Sequence, residues 1–131
     1  MPTLRLNKIH HIAIICSNYD VSKKFYTEIL DLEIIKETFR AARQSYKLDL
    51  KVNDIYQVEL FSFPGPAARP SRPEACGLRH LAFEVDDMDT AVRILNDKGV
   101  TTEAIRTDEI TGKRFTFFAD PDGLPLEFYE L

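Results

Sequence analysis

Cysteine is scarce in this chain, with two residues in 131: Cys16 within an apolar run and Cys76 in a proline-rich stretch. They form no CxxC pair and no disulfide framework, so we interpret both as reduced, with Cys16 a small core residue. A chain of this length buries a core as one domain without disulfides or structural metal. A bound metal would therefore be expected to serve function rather than folding.

Long apolar runs and basic clusters are missing as well, and we expect no secretion signal. The apolar runs are far too short to span a bilayer, so no membrane partner is expected. Lysine and arginine are scattered and the net charge is −4, which leaves no electrostatic footprint for nucleic acid. The N-terminal MPTLRLNKIHH has no basic segment followed by an apolar region and a cleavage site. We expect a cytoplasmic protein with a small-molecule partner.

What the sequence does contain is an order of elements that occurs twice. In the first half, IHHIAIIC (9–16) predicts a strand, and 19–30 has apolar residues at helical spacing. Three strand-like runs follow, at 32–38, 44–51 and 55–63. The first half therefore reads β-α-β-β-β.

A proline-rich segment, PGPAARPSRPEACG (64–77), separates this half from the next. The second half predicts a strand, a helix and three further strands, at 78–85, 87–97, 100–106, 113–119 and 124–131. We expect one α+β domain over 1–131, with module 1 at about 6–63, a linker at about 64–77 and module 2 at about 78–131. The alternative is an unrelated α+β sandwich whose halves look alike by chance.

The repeat has one histidine and one glutamate in each copy. His11 and His80 begin equivalent strands 69 residues apart, and Glu59 and Glu127 lie in equivalent last strands 68 residues apart. Taken singly, a strand histidine is more often a hydrogen-bonded core residue, and a strand glutamate usually faces solvent. The matched offsets favour a shared role for all four.

Strand alternation places these glutamates beside apolar side chains. The residues that share their faces are Phe61 and Phe63 for Glu59, and Pro125 and Tyr129 for Glu127. A carboxylate among such groups is costly unless a cation meets it. Imidazole and carboxylate suit Zn²⁺, Ni²⁺, Co²⁺, Mn²⁺ or Fe²⁺, and four protein ligands on a six-coordinate ion leave two positions for substrate.

Five segments together resemble the vicinal oxygen chelate superfamily, which includes glyoxalase I, methylmalonyl-CoA epimerase, extradiol dioxygenases and fosfomycin-resistance proteins. They are HHIAI, FYTEILDLE, VELF, GLRHLAFEVDD and FADPDGLPLEFYE. The chain is most similar to small bacterial glyoxalase-like members. The resemblance implies two tandem βαβββ modules that form a cupped mixed sheet around a metal site, and often a homodimer.

In glyoxalase I, one ligand from each of the four matched strands holds a divalent metal. The resemblance assigns these roles to His11, Glu59, His80 and Glu127. It also implies a glutamate that moves a proton while the ion stabilises an enediolate; Glu127 is the first choice for this base, with Glu59 as its partner or alternative. One position departs from glyoxalase I: Ile15 stands where that enzyme has an arginine for glutathione, which argues against a glutathione substrate.

Hairpin geometry predicts which side chains surround the metal. A four-residue loop at 120–123 would set Thr116 opposite Glu127, and a two-residue turn at 53–54 would set Leu48 opposite Glu59. The predicted substrate-binding residues are therefore Arg114, Thr116, Phe118, Tyr46 and Leu48, with Arg114 expected to grip an anion.

The leading functional hypothesis is a metal-dependent lyase or isomerase of glyoxalase type, acting on a small, oxygenated, anionic substrate. Three alternatives stay open. They are a metal-dependent epimerase, a non-haem Fe(II) dioxygenase and a non-enzymatic protein that binds a small molecule. Glu59 argues against the dioxygenase, because a fourth protein ligand would occupy a position on the metal that oxygen chemistry needs.

Overall fold

A computed structural model describes residues 2–131 of the chain, which form two compact units divided between Pro66 and Ala67. The first unit contains β1 (His11–Cys16), α1 (Tyr19–Lys24), a π-helix (Phe25–Ile29), β2 (Glu33–Arg40), a 3₁₀ turn (Ala41–Arg43), β3 (Ser45–Val52) and β4 (Tyr56–Ser62). The second contains β5 (Leu81–Val85), α2 (Met88–Asp97), β6 (Arg106–Thr107), β7 (Arg114–Ala119) and β8 (Pro125–Glu130). The predicted α+β fold of two βαβββ modules is confirmed.

Each unit contains one four-stranded mixed sheet with the same topology. The strand orders are β1-β4-β3-β2 and β5-β8-β7-β6. The first strand of each module runs parallel to the last, and the other neighbours are antiparallel. This order places the first and last strands of a module, which carry the predicted ligands, side by side.

The helices begin where polar side chains cap them. Asn18 accepts a hydrogen bond from the Val21 N–H at the start of α1, and Asp87 accepts one from the Thr90 N–H at the start of α2. After α1 the chain continues as the π-helix, in which the Leu30 N–H bonds to the Phe25 carbonyl.

One face of each sheet is buried with the apolar residues of its own unit. In the first unit the fully buried side chains include Leu48, Leu50, Val58 and Leu60 of the sheet and Tyr26 of the π-helix; in the second they include Leu126, Met88 and Leu95. Cys16 is also buried, as expected, and neither Cys16 nor Cys76 forms a disulfide. The opposite face of each sheet does not contribute to this apolar core.

One predicted element was wrong. The run at 100–106 was expected to be a strand, but only Arg106–Thr107 pairs as β6. The preceding residues touch β7 through isolated bonds instead: the Glu103 N–H donates to the Phe117 carbonyl, and Thr116 Oγ1 donates to the Glu103 carbonyl. None of the helices that the structure describes is both long and apolar enough to cross a membrane.

Candidate functional site

The first unit pairs His11 with Glu59. His11 begins β1, and Ala13, two residues on, lies directly opposite Glu59 of the parallel strand β4. Both side chains therefore point to the sheet face away from the apolar core. The Nδ1 atom of His11 lies 3.6 Å from Oε2 of Glu59, whose residue is only 7% exposed. The His11 ring also shares a hydrogen bond with the His10 ring, with Nδ1 atoms 2.9 Å apart.

Glu59 lies among polar groups that were not predicted. Gln57 Nε2 donates to Glu59 Oε2 over 3.1 Å. Lys47 Nζ is 3.8 Å from Glu59 Oε1 and 3.4 Å from Oδ1 of Asp49, the cross-strand partner of Glu59. The carboxylate of Glu59 is therefore held by an amide donor and lies near an ammonium group.

The second unit pairs His80 with Glu127 in more apolar surroundings. His80 directly precedes β5, and its Nε2 lies 3.3 Å from Oε1 of Glu127. Ala82 and Phe117 are the cross-strand neighbours of Glu127 on its two sides. The Phe117 ring meets the His80 ring edge to face, at 5.0 Å between centroids. This contact fixes the plane of the imidazole.

The His80–Glu127 pair has fewer partners than a buried polar pair usually has. Nδ1 of His80 is buried and lacks a hydrogen-bond partner within residues 2–131. Glu127, 9% exposed, has His80 as its one ion-pair partner in the same stretch. Because buried polar groups are normally satisfied, the pair has the chemistry of a site that takes a further group.

The donor set suits a divalent transition metal. Nitrogen and carboxylate oxygen atoms bound to one ion at about 2.0–2.2 Å stand roughly 2.8–3.6 Å apart at octahedral to tetrahedral angles. The 3.3 Å between His80 and Glu127 falls within this range, and the 3.6 Å between His11 and Glu59 lies at its upper end. In the described part of the chain, histidines, cysteines and carboxylates do not gather in metal-binding groups of three or more, so each unit supplies a pair.

The predicted register of the first hairpin was wrong by one residue. The loop has three residues, 53–55, because the Asn53 side chain accepts a hydrogen bond from the Ile55 N–H and Asn53 adopts a φ of 47°. Asp49 therefore lies opposite Glu59, and Tyr46 and Leu48 fall on the other face. Leu48 is fully buried in the core, and Tyr46 stacks on Tyr19 at 4.4 Å.

The second hairpin shows the same one-residue error. Its loop spans 120–124, because the Asp120 carboxylate accepts hydrogen bonds from the Asp122 and Leu124 N–H groups, each over 2.9 Å. Phe117, not Thr116, is therefore opposite Glu127. The predicted substrate residues Arg114, Thr116 and Phe118 all lie on the core face.

Arg114 is engaged on the core face of β7, opposite to the face of the His80–Glu127 pair. It forms ion pairs with Glu130 at 2.8 Å and with Asp89 of α2 at 3.2 Å. The hydrogen bonds that its guanidinium donates, to Glu130 first and Asp89 second, raise the pKa of Arg114 above the ordinary value. Through these ion pairs Arg114 links α2 to the sheet. The side chains on the ligand face of β7 are Phe115 and Phe117, and those on β3 are Lys47 and Asp49, which a correct loop length would have predicted.

Comparisons with known proteins agree with this architecture. The family model described as Glyoxalase/Bleomycin resistance protein/Dioxygenase superfamily matches residues 8–128. The protein YwkD of Bacillus subtilis (strain 168), described as uncharacterized, is 62% identical and aligns over 95% of this chain and 98% of its own length. A glyoxalase family protein from Enterococcus faecalis, of known crystal structure, is 49% identical with a TM-score of 0.88, covering 94% of this chain and 97% of that one.

A more distant relative is an epimerase by name. A 2-epi-5-epi-valiolone epimerase from Actinomyces sp is 29% identical, over 94% of this chain and 79% of its own. The paired modules and the match over nearly all of the sequence together settle the family. The chain belongs to the Glyoxalase/Bleomycin resistance protein/Dioxygenase superfamily.

Proposed function

We propose that this protein is a metal-dependent lyase or isomerase of glyoxalase type, which moves a proton between carbon atoms of a small, oxygenated, anionic substrate. One observation carries the proposal. In each unit a histidine nitrogen lies 3.3–3.6 Å from a glutamate that is at most 9% exposed, on the sheet face that the apolar core does not use. Such duplicated pairs have the composition of a metal centre.

The proposed ligands are His11, Glu59, His80 and Glu127, and the ion is one of Zn²⁺, Ni²⁺, Co²⁺, Mn²⁺ or Fe²⁺. A bound ion supplies Lewis-acid stabilisation of the negative charge that develops on substrate oxygens. The small side chains Ala13 and Ala82, beside the two glutamates in the ladders, leave space for substrate.

Glu127 is the proposed proton carrier. A base that takes and returns a proton must be able to reposition its carboxylate. Glu59 is restrained by Gln57 and lies near Lys47, whereas the polar contact of Glu127 among residues 2–131 is His80. Glu59 is then the ligand that stays in place, and Glu127 is the one with freedom to exchange a proton with the substrate.

Metal stoichiometry of untagged protein tests the centre directly. We expect about one ion per wild-type chain by elemental analysis, and a large loss in His11→Ala, His80→Ala, Glu59→Gln and Glu127→Gln. The matched control is Glu84→Gln, an exposed carboxylate on β5, which should keep wild-type metal content. Full metal in both ligand-histidine variants would contradict the proposal.

An epimerase is the second candidate, favoured by the similarity to 2-epi-5-epi-valiolone epimerase. Both reactions remove a proton from carbon and return one, so the same base serves either. Turnover in D₂O followed by NMR separates them, because an epimerase returns deuterium to the carbon that lost its proton. A lyase or isomerase of glyoxalase type instead delivers hydrogen to the neighbouring carbon. Turnover that persists after a chelator has removed the metal would contradict both candidates, because both depend on the metal.

The proposed working form is a homodimer. The family assignment supports it, since members of this superfamily commonly assemble in pairs. Light scattering coupled to size-exclusion chromatography measures the mass, and 15.1 kDa would identify a monomer whereas twice that mass would identify the dimer.

A further inference from the structure

The guanidinium of Arg40 packs against two aromatic rings on the same sheet face as the His11–Glu59 pair. It ends β2, opposite Ser45 of β3, and its terminal nitrogen donates to Ser45 Oγ over 3.0 Å. The guanidinium carbon lies 4.9 Å from the centre of the Phe61 ring and 5.8 Å from that of Phe63. The two rings are stacked with each other at 6.1 Å. Cation–π contacts of this kind hold an arginine head group in place without using its N–H donors.

Those donors are largely unused. Among residues 2–131 no carboxylate forms an ion pair with Arg40, and its Nε is buried without a hydrogen-bond partner. Two other arginines are neutralised by contrast. Arg106, which also contacts two phenylalanine rings, pairs with Glu103 at 3.4 Å, and Arg114 pairs with two acids. A guanidinium that is held in place and has a buried N–H donor without a partner is suited to bind an anion.

The strand register fixes where this anion would lie. Phe61 is two residues beyond Glu59 on β4, which is about 6.6 Å along the strand. Lys47 is the cross-strand partner of both Phe61 and Thr38, and Arg40 is two residues beyond Thr38 on β2. Arg40 and Glu59 therefore share one face. Their backbones are two side-chain repeats apart along the strands, but the Arg40 head group, 4.9 Å from the Phe61 ring, reaches back to within one repeat of Glu59. Lys47, the nearer cation, is engaged by Asp49 and Glu59.

We propose that Arg40 binds the ionised group of the substrate, a carboxylate or a phosphate. The planar guanidinium forms paired hydrogen bonds with either group, and Arg40 keeps the donors for them. The substrate class that fits is a small oxygenated molecule whose anionic end lies one strand repeat away from the carbon that reacts beside Glu59. This inference rests on the proposed function for the identity of that reacting end, whereas the anion site itself belongs to the first unit alone.

Isothermal titration with inorganic phosphate, and separately with malonate, tests the site in the purified protein. The variants are Arg40→Gln, Arg40→Lys and, as a matched control, Arg43→Gln on the exposed 3₁₀ turn. We expect Arg40→Gln to weaken binding of the preferred anion at least tenfold, Arg40→Lys to weaken it less, and Arg43→Gln to leave it unchanged. The preferred anion identifies the group as phosphate or carboxylate. Thermal melts of each variant verify that it is folded.

Metal analysis of the same samples separates the two proposals. Arg40→Gln should keep wild-type metal while it loses the anion. A wild-type protein that takes up no divalent transition metal, yet binds the anion through Arg40, would refute the proposed function and leave the anion site standing. The anion site is overturned if Arg40→Gln binds as tightly as wild type, if Arg43→Gln loses as much, or if wild type binds neither anion.

Discussion

Phe117 is the cross-strand partner of Glu127. Its side chain therefore lies on the ligand face, where it also meets the His80 ring. The preceding residue, Thr116, points the other way: it is fully buried, and its hydroxyl donates to the Glu103 carbonyl over 2.7 Å. Two adjacent residues of β7 thus divide between the site and the core, which makes them a matched pair for mutation.

Phe117→Ala should weaken metal binding, whereas Thr116→Val should weaken folding. Loss of the Phe117 ring releases the His80 imidazole, and we expect roughly a tenfold fall in metal affinity, the low end for residues that orient a ligand. Thr116→Val leaves the Glu103 carbonyl without its donor and should cost about 1–2 kcal/mol of unfolding free energy. Competition with a chelating dye and urea denaturation measure the two effects. A Thr116→Val variant that loses metal affinity but not stability would instead support the register predicted from the sequence, in which Thr116 lies opposite Glu127.

Gln57→Leu should also reduce metal affinity, by roughly tenfold or more, because the Gln57 amide orients the Glu59 carboxylate. The same dye competition measures it. Tyr56→Phe is the control, since Tyr56 is the neighbour on the opposite face of β4 and half-exposed. Equal metal affinity in Gln57→Leu and wild type would mean that Glu59 needs no such support.

The first hairpin loop depends on Asn53. Asn53→Ala loses the bond to the Ile55 N–H and places alanine at a φ of 47°, so we expect a loss of about 1–2 kcal/mol in unfolding free energy. Asn53→Gly loses the same bond but tolerates the backbone conformation, and its loss should be smaller. Urea denaturation of both variants measures the difference. A larger loss in the glycine variant would show that the backbone conformation is not what asparagine provides.

The order of elements could be predicted because hydrophobic periodicity is a local property of the chain. The helices at 19–30 and 87–97 follow from it, as do the strands around them apart from the run at 100–106. The pairing of His11 with Glu59 and of His80 with Glu127 follows from the duplication, since equal offsets place equal residues on the first and last strand of each module. Neither inference needs the register of a hairpin.

The side chains of β3 and β7 that lie opposite the two glutamates could not be predicted, because each hairpin register depends on one side chain inside its loop. Asn53 and Asp120 each accept backbone hydrogen bonds that lengthen their loops by one residue relative to the expected turn. Side chains alternate across a strand, so one added residue exchanges the two faces of β3 and β7. As a result, Phe117 rather than Thr116 lies opposite Glu127, and Asp49 rather than Leu48 lies opposite Glu59.

The pH dependence of stability in the second unit should follow Glu130. Hydrogen bonds from Arg114 and then from the Met88 N–H hold the pKa of its carboxyl below the ordinary 4.5. Because the folded-state pKa is the lower one, the stabilisation is fully present above pH 4.5 and is lost as pH falls through the folded-state value. Thermal melts between neutral and acidic pH should show a steeper decline below 4.5 in wild type than in Glu130→Gln, which starts less stable at neutral pH. Glu109→Gln, at an exposed position, should follow wild type throughout. A Glu130→Gln profile parallel to wild type would place the acid sensitivity on other carboxylates.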